Sequence, residues 1–309
     1  MGWFLLALAA LLWWSFGDLF AKLGCREQNN KLNSLKMVTA VGLIMGMDAL
    51  LSIMRGTEIS LDIILRYLPV SVMYMSSMFL GYVAMRYIEL SVSSPVCNCS
   101  GALVALVSIF WCIMRGIPLE LHPLQYGAVA LCGLGVLLLG IFEAGEDEEL
   151  RAERQKKSNY RYAKSWLALA IPIAYCIIDA GGTFADSLIL ETMDEDSANV
   201  AYELTFFACG IICFVIAAVK ARREQRNIYD KSDLWKLCGG LCETLGQLAY
   251  VHALADESHV TLTAPIIASY CAGSVVLGRL ILKERLSKKH YLALAVTILG
   301  IIIMGVFDG

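Results

Sequence analysis

The sequence predicts an all-α integral membrane protein, with ten transmembrane helices arranged as two five-helix repeats of inverted topology. Of the 309 residues, 58% are hydrophobic and only 17% are charged, whereas about a quarter of an ordinary soluble domain is charged. Apolar runs of about twenty residues, the length that crosses a bilayer as a helix, recur along the whole chain. The two halves of the chain also share a stretch of sequence, which indicates an internal repeat.

The predicted spans follow these apolar runs in order. The first run has no basic region before it and no small-residue cleavage site after it, so we expect a retained helix rather than a signal peptide. A charged segment at 143–164 interrupts the series, and its acidic and basic residues pair at helical spacing, which is typical of a solvated linker. The ten predicted spans are 3–23, 35–54, 67–88, 92–114, 123–142, 165–190, 198–219, 235–254, 260–282 and 290–307.

Basic residues predict the orientation of these spans. Lysine and arginine concentrate in the loops after odd-numbered spans, and the loops after even-numbered spans hold only Arg55, Arg66 and Arg115. Because basic loops stay in the cytoplasm, we predict that both termini lie outside and that the 143–164 loop is cytoplasmic. The expected location is the cytoplasmic membrane of the cell.

The internal repeat lies at the end of each half. Residues 121–140 align without gaps to residues 286–305, and they share two Leu, a Tyr, two Ala and two Gly. Each half then holds five spans, an odd number, so the second copy enters the membrane upside down relative to the first, as in many secondary transporters. The predicted units are a first repeat at 1–142, a cytoplasmic linker at 143–164 and a second repeat at 165–309.

A short motif in the second repeat carries a family resemblance. Leu282-Lys283-Glu284-Arg285-Leu286 follows a span containing Ala264-Pro265 and precedes a span with two glycines. This arrangement resembles the end of the domain in the EamA-like family of the drug/metabolite transporter superfamily, and the ten-helix plan matches over nearly the whole chain. The first repeat departs from the motif, because residues 116–121 lack the Glu-Arg pair. The resemblance implies a transporter of small molecules without specifying the substrate.

Four carboxylates fall well inside predicted spans. They are Asp18, Asp179, Glu203 and Glu243, and Asp48 lies closer to the end of its span. A charged side chain in hydrocarbon is costly, so such residues face a protein interior or a wet cavity. Few basic residues lie at the same depth, so the sequence predicts an acidic interior.

Two of these acids have an aromatic residue one turn away. Trp14 precedes Asp18 by four residues, and Tyr175 precedes Asp179 by four, so each pair shares a helix face. An aromatic ring attracts a cation and a carboxylate neutralises it, which suits an amine or quaternary ammonium ligand; the alternative is that the aromatics are packing or interface anchors. The predicted substrate-binding residues are Trp14, Asp18, Tyr175, Asp179, Glu203 and Glu243.

The predicted function is secondary active transport of a small polar metabolite by alternating access. The substrate that the sequence favours is an amine or quaternary ammonium cation such as choline. A low-dielectric cavity favours the neutral form of a carboxyl group, so Asp179 and Glu243 are the candidates for proton coupling. Exchange of one substrate molecule for another is the alternative source of energy for transport. The alternatives are export of amino acids or other neutral or zwitterionic metabolites, and a non-transporting receptor or scaffold.

Other classes of function lack their motifs. The sequence contains no zinc-protease motif, phosphate-binding loop or nucleophile elbow, so we expect no enzymatic activity and no cofactor. Ten of the eleven cysteines fall within the predicted spans, and they are scattered rather than clustered like zinc ligands, so no metal site is expected. The expected partners are a small-molecule substrate, the lipid bilayer and protons, and no nucleic acid.

Overall fold

In the computed structural model, the described residues are 2–27, 30–116, 123–145, 166–190, 192–254, 267 and 270–306, and within these ranges the secondary structure is helical, with no strand. The helices are α1 (Gly2–Cys25), α2 (Leu32–Arg55), α3 (Leu61–Ala84), α4 (Leu90–Cys97), α5 (Ser100–Arg115), α6 (Pro123–Gly145), α7 (Trp166–Leu190), α8 (Glu195–Arg223), α9 (Asp233–Leu254), α10 (Tyr270–Leu280) and α11 (Lys288–Val306).

Five of the described helices contain stretches long and apolar enough to cross a membrane. These stretches are Phe4–Cys25, Leu32–Arg55, Leu61–Ala84, Ala170–Leu190 and Glu195–Arg223. Large apolar side chains cover the outside of the bundle, among them Met54, Phe110 and Leu292 at 75%, 65% and 64% exposure. A surface of this kind suits lipid rather than water, so the protein is a multi-pass membrane protein.

The fourth predicted span, 92–114, is not one continuous helix. The structure ends α4 at Cys97 and starts α5 at Ser100. Pro95 inside α4 cannot donate the hydrogen bond that an inner helical residue supplies, and the Asn98 side chain donates to the Ser94 carbonyl oxygen at 3.0 Å. The Cys99 N–H then bonds the Val96 carbonyl oxygen at 3.2 Å, three residues back rather than four, so the predicted span 92–114 is interrupted at residues 98–99.

Two other predicted segments lie partly outside the described residues. The linker 143–164 is described only up to Gly145, and the ninth predicted span, 260–282, is described mainly by α10. The remaining predicted spans each correspond to one described helix.

Helices from the two halves pack against each other in a reciprocal pattern. The first helix of each half packs on the third predicted span of the other half, so that α1 contacts α9 and α7 contacts α3. The second spans, α2 and α8, contact each other, and so do the fifth spans, α6 and α11. Exchanging the two halves therefore leaves these contacts unchanged.

Glycines allow α2 and α8 to approach closely. A methyl group placed on Gly42 would lie 2.7 Å from the Phe206 carbonyl oxygen and 3.2 Å from the Gly210 Cα, so only glycine fits there. The Thr39 hydroxyl donates to the Gly210 carbonyl oxygen at 3.1 Å. Small residues and hydroxyl bonds of this kind stabilise helix pairs in membranes.

Glu284, from the Leu-Lys-Glu-Arg-Leu motif, caps a helix of the other half. Its carboxylate accepts hydrogen bonds from the backbone N–H groups of Leu90 and Ser91, both at 2.9 Å, and from the Ser91 hydroxyl at 2.6 Å. The first N–H groups of a helix have no partner within the helix, and the helix dipole favours a negative charge at this end. The motif thus fixes the start of α4.

Lys22, at the end of α1, binds the turn before α4. Its ammonium group is fully buried and donates to the carbonyl oxygens of Met85, at 2.7 Å, and Ile88. Because Glu284 binds the next residues of the same segment, the two charged side chains hold the entry to α4 from both halves of the chain.

An ion-pair cluster joins α2 to the loop before α9. The Lys36 ammonium lies 2.9 Å from an Asp230 carboxylate oxygen and 2.5 Å from one of Asp233, and Lys236 lies 3.0 Å from Asp233. Partial burial opposes ionisation of Asp230, but the Ser232 hydrogen bond, the Lys36 hydrogen bond and the Lys236 charge together lower its pKa to about 2.

Candidate functional site

Asp18 lies in the middle of α1 and binds hydroxyl groups from two other helices. Its Oδ2 accepts a hydrogen bond from the Ser94 hydroxyl of α4 at 2.5 Å and another from the Ser274 hydroxyl of α10 at 2.7 Å. These neutral donors solvate the carboxylate without cancelling its charge. Asp18 therefore faces the interior between the halves, as its position in the sequence predicted.

Asp179 lies in the middle of α7 and has a similar environment. Its Oδ1 accepts a hydrogen bond from the Ser77 hydroxyl of α3 at 3.2 Å, and Ser100 is a second hydroxyl partner. Ser94 and Ser100 lie on opposite sides of the break between α4 and α5. The interrupted span thus supplies one hydroxyl to each aspartate, and interrupted helices are a recurring feature of transporter binding sites.

Glu243 brings a third carboxylate to the same region. A methyl group placed on Gly17, the neighbour of Asp18, would lie 3.7 Å from the Glu243 Oε2. The Tyr82 hydroxyl is close enough to interact electrostatically with the carboxyl groups of Glu243 and Asp18. The Tyr175 hydroxyl interacts in the same way with those of Asp179 and Glu243. Asp18, Asp179 and Glu243 therefore surround one region, which we call the central acidic site.

Trp14 lies one turn from Asp18 and belongs to an aromatic cluster. Its ring centroid is 5.3 Å from that of Tyr250 in α9 and 5.5 Å from that of Tyr270 in α10. The Trp14 indole N–H is buried, and no acceptor in the described part of the chain binds it. Trp13 is 38% exposed, so the two adjacent tryptophans differ in the way that helical periodicity predicts.

Tyr175 of α7 packs against α3. Its ring lies 3.2 Å from a methyl group placed on Gly81 of α3, and its hydroxyl is within electrostatic range of Tyr270. The aromatic partners of Trp14 therefore come from α9 and α10, where sequence periodicity gave no reason to expect them.

Glu203 does not join the central acidic site. Its carboxyl group is within hydrogen-bonding distance of Asp48 on α2 and of Asn199 on its own helix. Its neighbour Tyr202 instead points inward, with its hydroxyl in electrostatic range of Glu243 and Asp179. Adjacent helical residues point about 100° apart, so Tyr202, rather than Glu203, is the α8 residue that faces the site. The contacts described for Glu203 therefore lie on α2 and α8, and its role in substrate binding stays a prediction.

Sequence reasoning also missed a polar ladder between α3 and α7. The Tyr67 and Tyr74 hydroxyls donate to Asp186 at 2.7 and 3.2 Å, and the Tyr74 hydroxyl oxygen also lies 3.3 Å from the Thr183 hydroxyl oxygen. Together with the Ser77–Asp179 bond, these contacts extend from the middle of α7 towards its C-terminal end. Asp179, Thr183 and Asp186 follow i, i+4, i+7 spacing, and this signal in the sequence could have revealed one polar helix face.

The described residues contain no group of three or more His, Cys, Asp or Glu side chains placed to hold a metal ion. The central acidic site instead combines carboxylates, serine hydroxyls and tyrosines. Such groups bind an organic cation by charge, hydrogen bonds and aromatic contact.

Comparison with known proteins finds a family that is similar to the second half of the chain. Residues 165–306 match the EamA-like transporter family, a range that includes α7 to α11 and the Glu284 motif. No curated protein matches the chain. The resemblance drawn from the Leu-Lys-Glu-Arg-Leu motif is confirmed over the matched residues, and that family consists of membrane transporters of small molecules. Residues 165–306, just under half of the chain, are therefore similar to the EamA-like transporter family.

Proposed function

We propose that the protein is a secondary active transporter that moves a small amine or quaternary ammonium cation, such as choline, by alternating access. The observation that carries the proposal is the convergence of three carboxylates, Asp18, Asp179 and Glu243, on one region between the two halves of the chain. The hydrogen bonds described to the two aspartates come from serine hydroxyls, which leave their negative charge in place.

Charge balance favours a cationic ligand. Lys22, Lys36, Arg86 and Lys236 are buried, but all four lie at or near helix ends rather than in the middle of a span. An unpaired carboxylate in a low-dielectric interior costs several kcal/mol. A bound cation or a proton removes that cost, and an anion would add to it.

The aromatic cluster favours an organic cation over an inorganic one. Trp14 lies one helical turn from Asp18, and the rings of Tyr250 and Tyr270 pack against it; ring faces attract alkylammonium groups. The buried Trp14 N–H is a donor without a described acceptor, so it suits a hydroxyl or carbonyl oxygen on the ligand. A ligand with a cationic head and one oxygen matches both features.

The architecture supports alternating access. The contacts between the halves are reciprocal, as expected if 1–142 and 165–309 are inverted repeats joined by the linker 143–164. Transporters of this kind bind substrate near the middle of the bilayer, between the repeats, where helices are interrupted. The central acidic site lies beside the break between α4 and α5 and receives residues from both halves.

Energy for transport would come from protons or from exchange. Asp179 and Glu243 are carboxyl groups close to the proposed ligand, so proton binding and cation binding compete for the same negative charge. Competition of this type couples the two ions without requiring ATP.

Ligand binding tests the proposal directly. Thermal-shift screening of the purified protein against amines, amino acids and sugars identifies a ligand, because binding to the folded state raises its stability. Calorimetric titration then compares Trp14→Leu and Asp18→Asn with the matched control Trp13→Leu. We expect each of the first two changes to weaken amine binding by about 1–2 kcal/mol, a factor of roughly 5–30 in Kd, and the control to leave it unchanged.

Two outcomes would contradict this proposal. An anionic best ligand would rule out the charge argument, and equal losses for the two tryptophan variants would rule out the aromatic cluster as the binding surface. A neutral or zwitterionic best ligand would instead favour the metabolite exporter.

The orientation in the membrane has its own test. We propose that both termini lie outside and that 143–164 is cytoplasmic, since basic residues follow the odd-numbered spans. A cysteine placed in this loop, in a variant without reactive native cysteines, should resist an impermeant thiol reagent in intact cells and react after permeabilisation. Ready labelling in intact cells would reverse the orientation.

A further inference from the structure

A second pair of acids lies between α2 and α8, apart from the central acidic site. Glu203 is 1% exposed, and its carboxyl group is within hydrogen-bonding distance of that of Asp48. Two carboxyl groups so close together do not both stay ionised without a cation between them. Neither Asp48 Oδ2 nor Glu203 Oε2 receives a hydrogen bond from a donor in the described part of the chain.

The surroundings of this pair are neutral. Asn199 of α8 contacts Glu203 and accepts a hydrogen bond from the Gln247 amide of α9 at 3.2 Å. The adjacent Tyr202 hydroxyl also lies within electrostatic range of Glu203. No basic side chain among the described residues acts on Glu203, so its charge is not balanced by a lysine or arginine there.

The packing of α2 and α8 holds the two acids in place. Gly42 contacts the backbone of Phe206, and Asp48 on one helix meets Glu203 on the other, as expected for antiparallel neighbours. Close backbone packing on one side of the pair limits the freedom of the carboxyl groups to separate. The two carboxyl oxygens that lack a described donor, Asp48 Oδ2 and Glu203 Oε2, therefore remain inside the protein with little freedom to separate.

We propose that Asp48 and Glu203 bind one monovalent cation, a proton or a sodium ion, between α2 and α8. The carboxyl oxygens supply the negative charge, and they are of the hard type that sodium prefers. The role of this ion in transport rests on the proposed function, but its binding does not. Because α2 and α8 belong to different halves, the ion would stabilise one arrangement of the halves.

The test uses the full chain, purified in lipid nanodiscs without added amine. For the sodium arm, the thermal unfolding midpoint is measured in NaCl and in KCl at equal ionic strength. A tenfold excess of sodium over its Kd should raise the midpoint by about 3 °C, and this gain should disappear in Glu203→Gln and in Asp48→Asn. Asp196→Asn, an exposed acid on the same helix, is the matched control and should keep the gain.

For the proton arm, infrared spectra at neutral pH report protonated carboxyl groups. If the ligand is a proton, the spectrum contains a carboxylic acid band that Glu203→Gln and Asp48→Asn each reduce and Asp196→Asn preserves. Each variant by itself should reduce the band, so one variant that folds is enough to assign it. The proposal is overturned if wild type shows neither a sodium-specific gain nor such a band, or if the control variant loses the signal as well.

The same preparation separates this proposal from the proposed function. Amine binding at the central acidic site should survive Asp48→Asn, because Asp48 is outside that site. If wild type binds no amine but keeps the cation signal, the transport proposal fails and the ion site stands. If Asp48→Asn keeps the cation signal unchanged, the ion site fails whatever the amine result.

Discussion

Removal of the Glu284 carboxylate should destabilise the protein and weaken the central acidic site at the same time. Glu284 is 1% exposed, and it accepts three hydrogen bonds from the first residues of α4. Glu284→Ala leaves the backbone N–H groups of Leu90 and Ser91 buried without that partner. At about 1–3 kcal/mol for each buried unsatisfied group, the expected loss of stability is about 2–6 kcal/mol.

The second effect follows from the position of Ser94 on the same short helix. Ser94 donates the 2.5 Å hydrogen bond to Asp18, so a loosened α4 no longer holds this hydroxyl against the carboxylate. We expect the amine affinity of Glu284→Ala to fall together with its stability. Glu284→Gln keeps one acceptor oxygen and most of the shape, so both losses should be smaller.

Thermal unfolding and calorimetric titration of the purified variants measure the two quantities. The control is Glu224→Ala, because Glu224 is half exposed and makes a 3.5 Å surface ion pair of the kind that contributes about 0–1 kcal/mol. If Glu284→Ala unfolds like this control, the cap is not stabilising and the reasoning fails. If it is destabilised but binds amine normally, the link from α4 to Asp18 is wrong.

Three further predictions concern other parts of the structure. Asp179→Asn and Glu243→Gln should each abolish pH-gradient-driven flux in proteoliposomes while the proteins still fold; full gradient dependence in both would disprove the proton-coupling role. Gly42→Ala, whose new methyl would lie 2.7 Å from a backbone oxygen, should lower stability by about 1–3 kcal/mol, whereas Gly127→Ala, with nothing within 4 Å, should not. The pKa of Asp230 is lowered from 3.8 to about 2, so its stabilisation is present above pH 3.8 and lost as the pH falls through about 2. Asp230→Asn should therefore cost of order 1 kcal/mol at neutral pH, after allowance for exposure, and the difference from wild type in unfolding experiments should shrink between pH 4 and 2; a constant difference would contradict this.

The sequence alone determined the fold class and the depth of the acids. Apolar runs of membrane length and the low charge content allow only a helical bundle in lipid, because every backbone polar group in hydrocarbon must be satisfied within its own helix. The same constraint made Asp18, Asp179 and Glu243 conspicuous, since a carboxylate at that depth has to face the interior. Spacing of four residues also placed Trp14 on the same helix face as Asp18, because helical periodicity is a local property.

Only the tertiary structure decided which side chains meet across helices. Nothing in the local pattern links Ser94, Ser274 or Tyr270 to α1, since these contacts depend on the rotation and packing of helices distant in sequence. The position of Glu203 shows the same limit: its depth was evident, but its angle about α8 directs it to Asp48 rather than to the central acidic site. Sequence fixes how deep a residue lies along its own helix, whereas packing between helices fixes what that residue faces.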